Sequence, residues 1–216
     1  EDYSNFVDAL VALFQVSGET KYLKEAKRLA DLMIAEFWDE EEGGFFFTGD
    51  SHEQLIVRAK DFFDNATPSG NSVAAEVLLR LGLLTNNQDY QRRALTILRL
   101  AANGMLRYPS GFGRLLCALD FNLGTPKEIA LIGLPDSPEA ISLAREIWSH
   151  YLPNKVIAQA SPRDESAEKA IPLLNGRGEL NSRPTAYVCE HFACQNPVTT
   201  PAELAAQLIQ NVATTP

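Results

Sequence analysis

The sequence predicts a mainly α protein: a partial α/α toroid with an inserted β-hairpin, followed by a small α/β domain. Three observations carry this prediction. A helix–turn–helix pattern occurs twice. The stretch between the two copies is rich in Gly, aromatic and turn-forming residues. After Gly124, short apolar runs alternate with an amphipathic helix, as in a β-α-β unit.

The elements follow in order. Asn5–Phe14 overlies Asn71–Arg80 at an offset of 66 residues, with Asn5 on Asn71, Val7 on Val73 and Val11 on Val77. Lys21–Met33 overlies Asp89–Ala101 at an offset of 68, with Tyr22 on Tyr90 and Ala26 on Ala94. The helices are joined by Ser17–Thr20 and Thr85–Gln88, where Gly18 suits a helix stop and Thr20 and Gln88 suit caps. In the second helix of each pair, apolar residues recur every three or four positions, as on a surface helix. Val73–Leu84 is apolar almost all round, as a buried inner helix would be. Buried first helices alternating with amphipathic second helices are the pattern of an inner and an outer ring.

Gly43-Gly44 ends the second helix, and Phe45–Thr48 and Leu55–Ala59 read as the strands of a hairpin spanning about residues 43–60. Thr67 and Pro68 read as the cap and first residue of the next helix, and a fifth helix is expected over Ser110–Leu119. Residues 1–124 form the predicted toroid part and residues 125–216 the α/β domain. In the latter, Glu128–Ile132, Lys155–Ala160 and Thr185–Cys189 read as strands. Pro138–Tyr151, capped by Asp136 or Ser137, and Pro201–Val212 read as helices. The lone Gly133 after the first strand excludes a dinucleotide fingerprint.

Composition narrows the function classes. The 216 residues carry a formal net charge of −9, with 45% hydrophobic and 22% charged residues. An acidic chain without a basic face argues against nucleic acid and anionic membrane surfaces. No apolar run reaches membrane-spanning length. Three cysteines and no secretory leader fit a reducing, cytoplasmic setting. The opening Glu1–Leu10, already helical in pattern, predicts a piece of a longer protein.

The repeat gathers candidate site residues at the N-terminal ends of the inner helices. Asp2, Asp61 and Asp64 are the candidate general acids and bases for glycoside or polyol chemistry. Tyr3, Asn5, Asn65, Ser69 and Asn71 are the candidate substrate-binding residues. The competing reading is that Thr67, Pro68, Ser69 and Asn71 serve only the helix start. A phosphate cradle is disfavoured, because one Gly stands where several are needed and no Lys follows it. The second candidate is the pair Cys189 and Cys194 around His191. Three readings stay open there: packed small hydrophobes, a thiol-redox pair, or a metal site that lacks its fourth ligand. No cofactor or metal is assigned.

Glu1–Tyr3 before a helix, Phe37–Gly49, Asp64–Ala74, Tyr151–Val156 and Thr185–Val198 together resemble the C-terminal part of an uncharacterised family of thioredoxin-domain-containing, N-acylglucosamine 2-epimerase-like proteins. A spermatogenesis-associated protein is its animal member. The resemblance covers nearly the whole chain. It implies a six-hairpin, glycosidase-like toroid whose first hairpins, with a thioredoxin-like domain, lie upstream. It implies no established reaction. Epimerases of that fold move protons with histidines, yet His52, His150 and His191 lie in a turn and in the second domain. The leading expectation is therefore carbohydrate binding or processing with a sugar ligand, glycosidase- or epimerase-like in the full-length protein. The alternative is a non-catalytic scaffold or thiol-redox accessory acting with the upstream thioredoxin-like domain. An incomplete ring would also leave an inner face exposed, which predicts a dimer.

Overall fold

The computed structural model describes residues 1–51, 57–191 and 193–209. It is mainly α-helical with a small four-stranded mixed sheet. The chain forms two compact units: Glu1–Phe14, Lys21–Gly82 and Asn87–Leu123 in one, and Gln15–Thr20, Leu83–Asn86 and Gly124–Pro216 in the other.

The first unit is built on α1 (Asp2–Ser17), α2 (Thr20–Phe37), α3 (Gly70–Thr85), α4 (Gln88–Arg107) and α5 (Gly113–Leu123). Asp2 to Gly70 and Thr20 to Gln88 are each 68 residues, so one offset serves both helices of the repeat. This corrects the 66-residue alignment of the first helices. Two largely apolar helices match in several registers, and only the turns decide between them. Gly18 and Asn86, equivalent at 68, both adopt positive φ, 71° and 51°, the left-handed residue that commonly closes a helix. In this register Asn71 matches Tyr3, not Asn5. Asn87, rather than Gln88, caps α4 by accepting from the Asp89 and Tyr90 amides.

Burial follows the expected division. α3 is buried without a break from Asn71 to Leu79. α2 buries one stripe, Leu23, Ala26, Leu29, Ala30 and Met33. The Tyr90 hydroxyl of α4 donates to Asp31 of α2; burial and that carboxylate push the phenol's pKa up. α1 buries Val7, Leu10, Val11 and Phe14 but exposes Phe6, Ala9 and Leu13 along one face. Arg114 of α5 ties the repeat together. Its Nη2 donates to Asp8 at 2.8 Å and its Nε lies 2.5 Å from Glu76. Asp8 and Glu76 are equivalent positions in the 68-residue register.

Among the described residues, the segment between α2 and α3 holds no strand. Only an isolated bridge joins Trp38 to Phe45, and the Phe47 amide donates to the Ala59 carbonyl. Part of the expected hairpin, His52 to Ile56, lies outside the described residues. Backbone bonds from Phe46 to Phe37 and from Asp50 to Glu36 hold the segment to the end of α2, and side chains add to them. Arg58 donates to the Thr48 carbonyl, and Lys60 donates to the Gly43 carbonyl and pairs with Asp39. The hydrogen bond from Lys60 holds the Asp39 carboxyl below the usual carboxylate range. A depressed carboxyl stabilises the fold above its unfolded pKa, and that contribution fades as pH falls through the lower folded value. Lys60→Met should therefore flatten the acid limb of a melting-temperature profile below about pH 4. An unchanged acid limb would show that this pair is not linked to folding.

The second unit is organised around β1 (Lys127–Ile132), all six residues of which are buried. β2 (Lys155–Ala160) runs parallel to it on one side, across α6 (Pro138–Ser149); β3 (Thr185–Glu190) runs antiparallel on the other, followed by the short β4 (Ala193–Cys194). Ser137, one of the two expected caps, accepts from the Ala140 amide at the start of α6. One sheet face carries Ile129, Leu131, Ile157 and Val188 under α6 and α8 (Pro201–Ile209), with Leu143, Ile147, Leu204 and Leu208. Residues 171–174, which follow α7 (Glu165–Ala170), pack on β1 and β2. The Gln15 side chain accepts from the Ile157 amide and so covers the outer edge of β2. α7 and the 3₁₀ turn at Pro172–Leu174 were not anticipated; both are too short to leave a periodic signal.

Candidate functional site

Helix α3 begins at Gly70, two residues later than expected, and its cap is Ser69 rather than Thr67. The Ser72 amide donates to Ser69 Oγ at 3.1 Å, the geometry of an N-cap serving N3. Pro68 thus precedes the helix, where it favours the extended backbone of the residue before it. Asp64 reinforces two helix starts. One carboxylate oxygen accepts from the Ser69 amide at 2.9 Å and the other from the Arg114 amide of α5 at 2.7 Å.

Asn71 turns inward from the first turn of α3. Its Oδ1 accepts from the Phe45 amide at 2.7 Å, and its Nδ2 donates to the carbonyls of Phe45 at 2.9 Å and Asp61 at 2.8 Å. One side-chain amide therefore serves both polar groups of a single backbone residue, much as a neighbouring strand would. Gly44 beside it has φ +79°, and a Cβ there would come within 2.9 Å of Phe62, so the turn accepts only glycine without rearrangement.

These contacts shape a recess of about 30 Å³, lined by Tyr3, Phe37, Phe46, Phe47, Asp61 and Asn71, with Glu1, Ser4, Met33, Phe45 and Gly70 completing the wall. Tyr3 packs its ring 5.4 Å from Phe37. Asp61 Oδ1 accepts from the Phe63 amide, which leaves its second oxygen outside that turn. The volume suits about one water molecule; a sugar ring would have to lie against the rim, where Phe47 is 62% exposed.

Of the candidates read from sequence, the structure brings Tyr3, Asp61 and Asn71 together. It does not bring Asp2, Asn5, Asn65, Asp64 or Ser69 to the recess wall. Asp2, Asn5 and Asn65 are exposed, and Asn5 Nδ2 donates to the Glu1 carbonyl. Asp64 and Ser69 are engaged in helix starts. Glu1 and the aromatic residues Phe37, Phe46 and Phe47 were missed. The signal for the phenylalanines is the clustering of aromatics on either side of Gly43-Gly44.

In the second unit, Cys189 and Cys194 stand directly opposite each other in the β3–β4 pair and form a disulfide, with Cα atoms 3.9 Å apart. Sulfurs joined in this way cannot ligate a metal together with His191, so that reading does not fit this state. Cys189 is fully buried and Cys194 is exposed. Arg177 Nη2 lies 3.3 Å from the sulfur of Cys189 and 3.0 Å from that of Cys194. The guanidinium is held by the Leu173 carbonyl and lies 5.7 Å from the Tyr187 ring. Tyr187 in turn accepts from the Gly178 amide and donates to the Gly178 carbonyl. Burial lowers the Arg177 pKa, and Glu128, across the sheet from Cys189, opposes that shift.

The chain was compared with known proteins. It is 34% identical over 212 residues to spermatogenesis-associated protein 20 of Rattus norvegicus, a match covering 97% of the chain. The Homo sapiens protein is 35% identical over 206 residues, or 94% of the chain. The chain is similar to spermatogenesis-associated protein 20. An uncharacterized protein of Caenorhabditis elegans, B0495.5, is 27% identical over 205 residues. The chain spans 26–27% of the length of these relatives. No family model matches it. Among the described residues no helix is long and apolar enough to cross a membrane.

Proposed function

We propose that the first unit is part of a carbohydrate-binding α/α toroid and that the recess beside Tyr3 marks its ligand site. The observation that carries this reading is the meeting of Tyr3, Asp61 and Asn71 with four phenylalanines near the N-terminal ends of α1 and α3. Aromatic faces and a few polar groups are what recognise a sugar's C–H face and hydroxyls. Two further observations support the ring. The helical hairpin repeats at 68 residues, and α1 exposes Phe6, Ala9 and Leu13 along one face, where a preceding hairpin of a toroid would pack. The relatives are long enough to supply such hairpins. The thioredoxin-like domain and the epimerase-like chemistry that the resemblance implies belong to this same proposal.

Within it, Asp64 is not a proton carrier, because both its oxygens are committed to backbone amides. Asp61 and Glu1 are the carboxylates at the recess. The test is calorimetric titration of the intact protein with a panel of mono- and disaccharides. A ligand should bind, and Tyr3→Ala and Asp61→Asn should each weaken it about tenfold, the size of one stacking or hydrogen-bond contact. No binding to any saccharide at millimolar concentration would sink the proposal.

A further inference from the structure

We propose that Cys189 and Cys194 are a reversible dithiol–disulfide site whose substrate is a dithiol, with Arg177 as the residue that tunes it. The inference stands apart from the sugar reading and rests on three features of one hairpin.

The first is register. The two cysteines are paired residues on adjacent strands, so their sulfurs stay close whether or not they are bonded, and neither strand has to move for the bond to form. The second is asymmetry. Cys194 is exposed and Cys189 is fully buried, so an incoming thiol can reach only Cys194. The third is charge. A guanidinium within 3.3 Å of both sulfurs stabilises whichever one carries the negative charge, and the thiolate is the reactive form. A disulfide that served only as a staple between neighbouring strands would gain nothing from a half-buried arginine aimed at its sulfurs.

The chemistry balances as an exchange. A thiolate of the partner attacks Cys194 Sγ, the bond between the cysteines breaks, and Cys189 leaves as a thiolate beside Arg177. The partner's second thiol then attacks its own sulfur in the mixed disulfide and releases Cys194. The partner becomes a disulfide, and the pair takes up two electrons and two protons. Oxidation runs the same steps backwards.

The experiment uses the whole chain equilibrated in dithiothreitol redox buffers, with thiols trapped by alkylation and mapped by peptide mass spectrometry. The pair should interconvert as one two-electron couple, while the free Cys117 serves as an internal reference. In the reduced protein, Arg177→Met should slow alkylation of Cys194 at pH 7 about threefold, as expected when a thiol's pKa rises by one unit and greater nucleophilicity offsets part of the lost thiolate. Arg177→Lys should restore part of the rate, which separates charge from folding, and neither should change the rate at Cys117. A pair that stays oxidised under excess dithiothreitol would overturn the proposal. So would an alkylation profile of Cys194 that is the same in wild type, Arg177→Met and Arg177→Lys.

Discussion

Lys127→Met should destabilise the protein by about 3–5 kcal/mol, the usual result of breaking a buried ion pair by removing one member. Lys127 Nζ lies 2.6 Å from Glu190 Oε1, and both side chains are under 10% exposed. They link the first residue of β1 to the last residue of β3, the two strands whose antiparallel pairing builds half the sheet. Removing the ammonium leaves a carboxylate in a place where water cannot replace it. The double variant Lys127→Met, Glu190→Leu should recover most of the loss, because two apolar side chains of similar volume need no compensation there. Urea denaturation of the two variants checks this. If the double variant is as unstable as the single one, packing rather than charge decides the position.

The second large effect is expected at Asn71. Asn71→Ala should cost about 3 kcal/mol, since it leaves the Phe45 amide, the Phe45 carbonyl and the Asp61 carbonyl without this partner, at about 1 kcal/mol or more each. Asn71→Asp keeps an acceptor for the Phe45 amide but faces two carbonyls with a carboxylate, so it should be at least as damaging. Asp64→Ala should be milder: it removes two amide acceptors, but each amide lies at a helix start that water can reach in part. Thermal unfolding of the variants ranks them. An Asn71→Ala protein of wild-type stability would show that the amide is held for ligand contact and not for the fold.

This contrast bears on what could be read from the sequence. The helices were legible because Leu23, Ala26, Ala30 and Met33 recur at helical spacing and because Val73–Leu79 is apolar throughout. The strands of the second unit were legible as short apolar runs between turn residues. The segment between α2 and α3 was legible only in part, for a physical reason. Phe45, Phe46 and Phe47 look like a strand, yet the Phe45 backbone is served by Asn71, the Phe46 and Phe47 amides donate to the Phe37 and Ala59 carbonyls, and the flanking turns are held by Arg58 and Lys60. Side-chain contacts between residues 10 to 26 positions apart leave no periodicity. The candidate site divided along the same line. Tyr3, Asp61 and Asn71 were recognised by type and position, but the employment of Asp64 in two helix starts depends on α5, which is distant in sequence. The cysteine pair was visible as two residues five apart; the register that joins them and the arginine beside them were not.

The sharing of Arg114 between Asp8 and Glu76 has a consequence for the history and handling of the repeat. Two copies of a hairpin normally suggest a module that could be excised or multiplied. Here the duplicated acids share one cation supplied from outside both copies, and Glu76 also pairs with Arg80 of its own helix. A fragment ending at Arg107 would keep every residue of the duplication yet lose the guanidinium that bridges Asp8 and Glu76. The smallest piece that keeps this bridge runs through α5, so the doubled sequence is not closed without the helix that follows it.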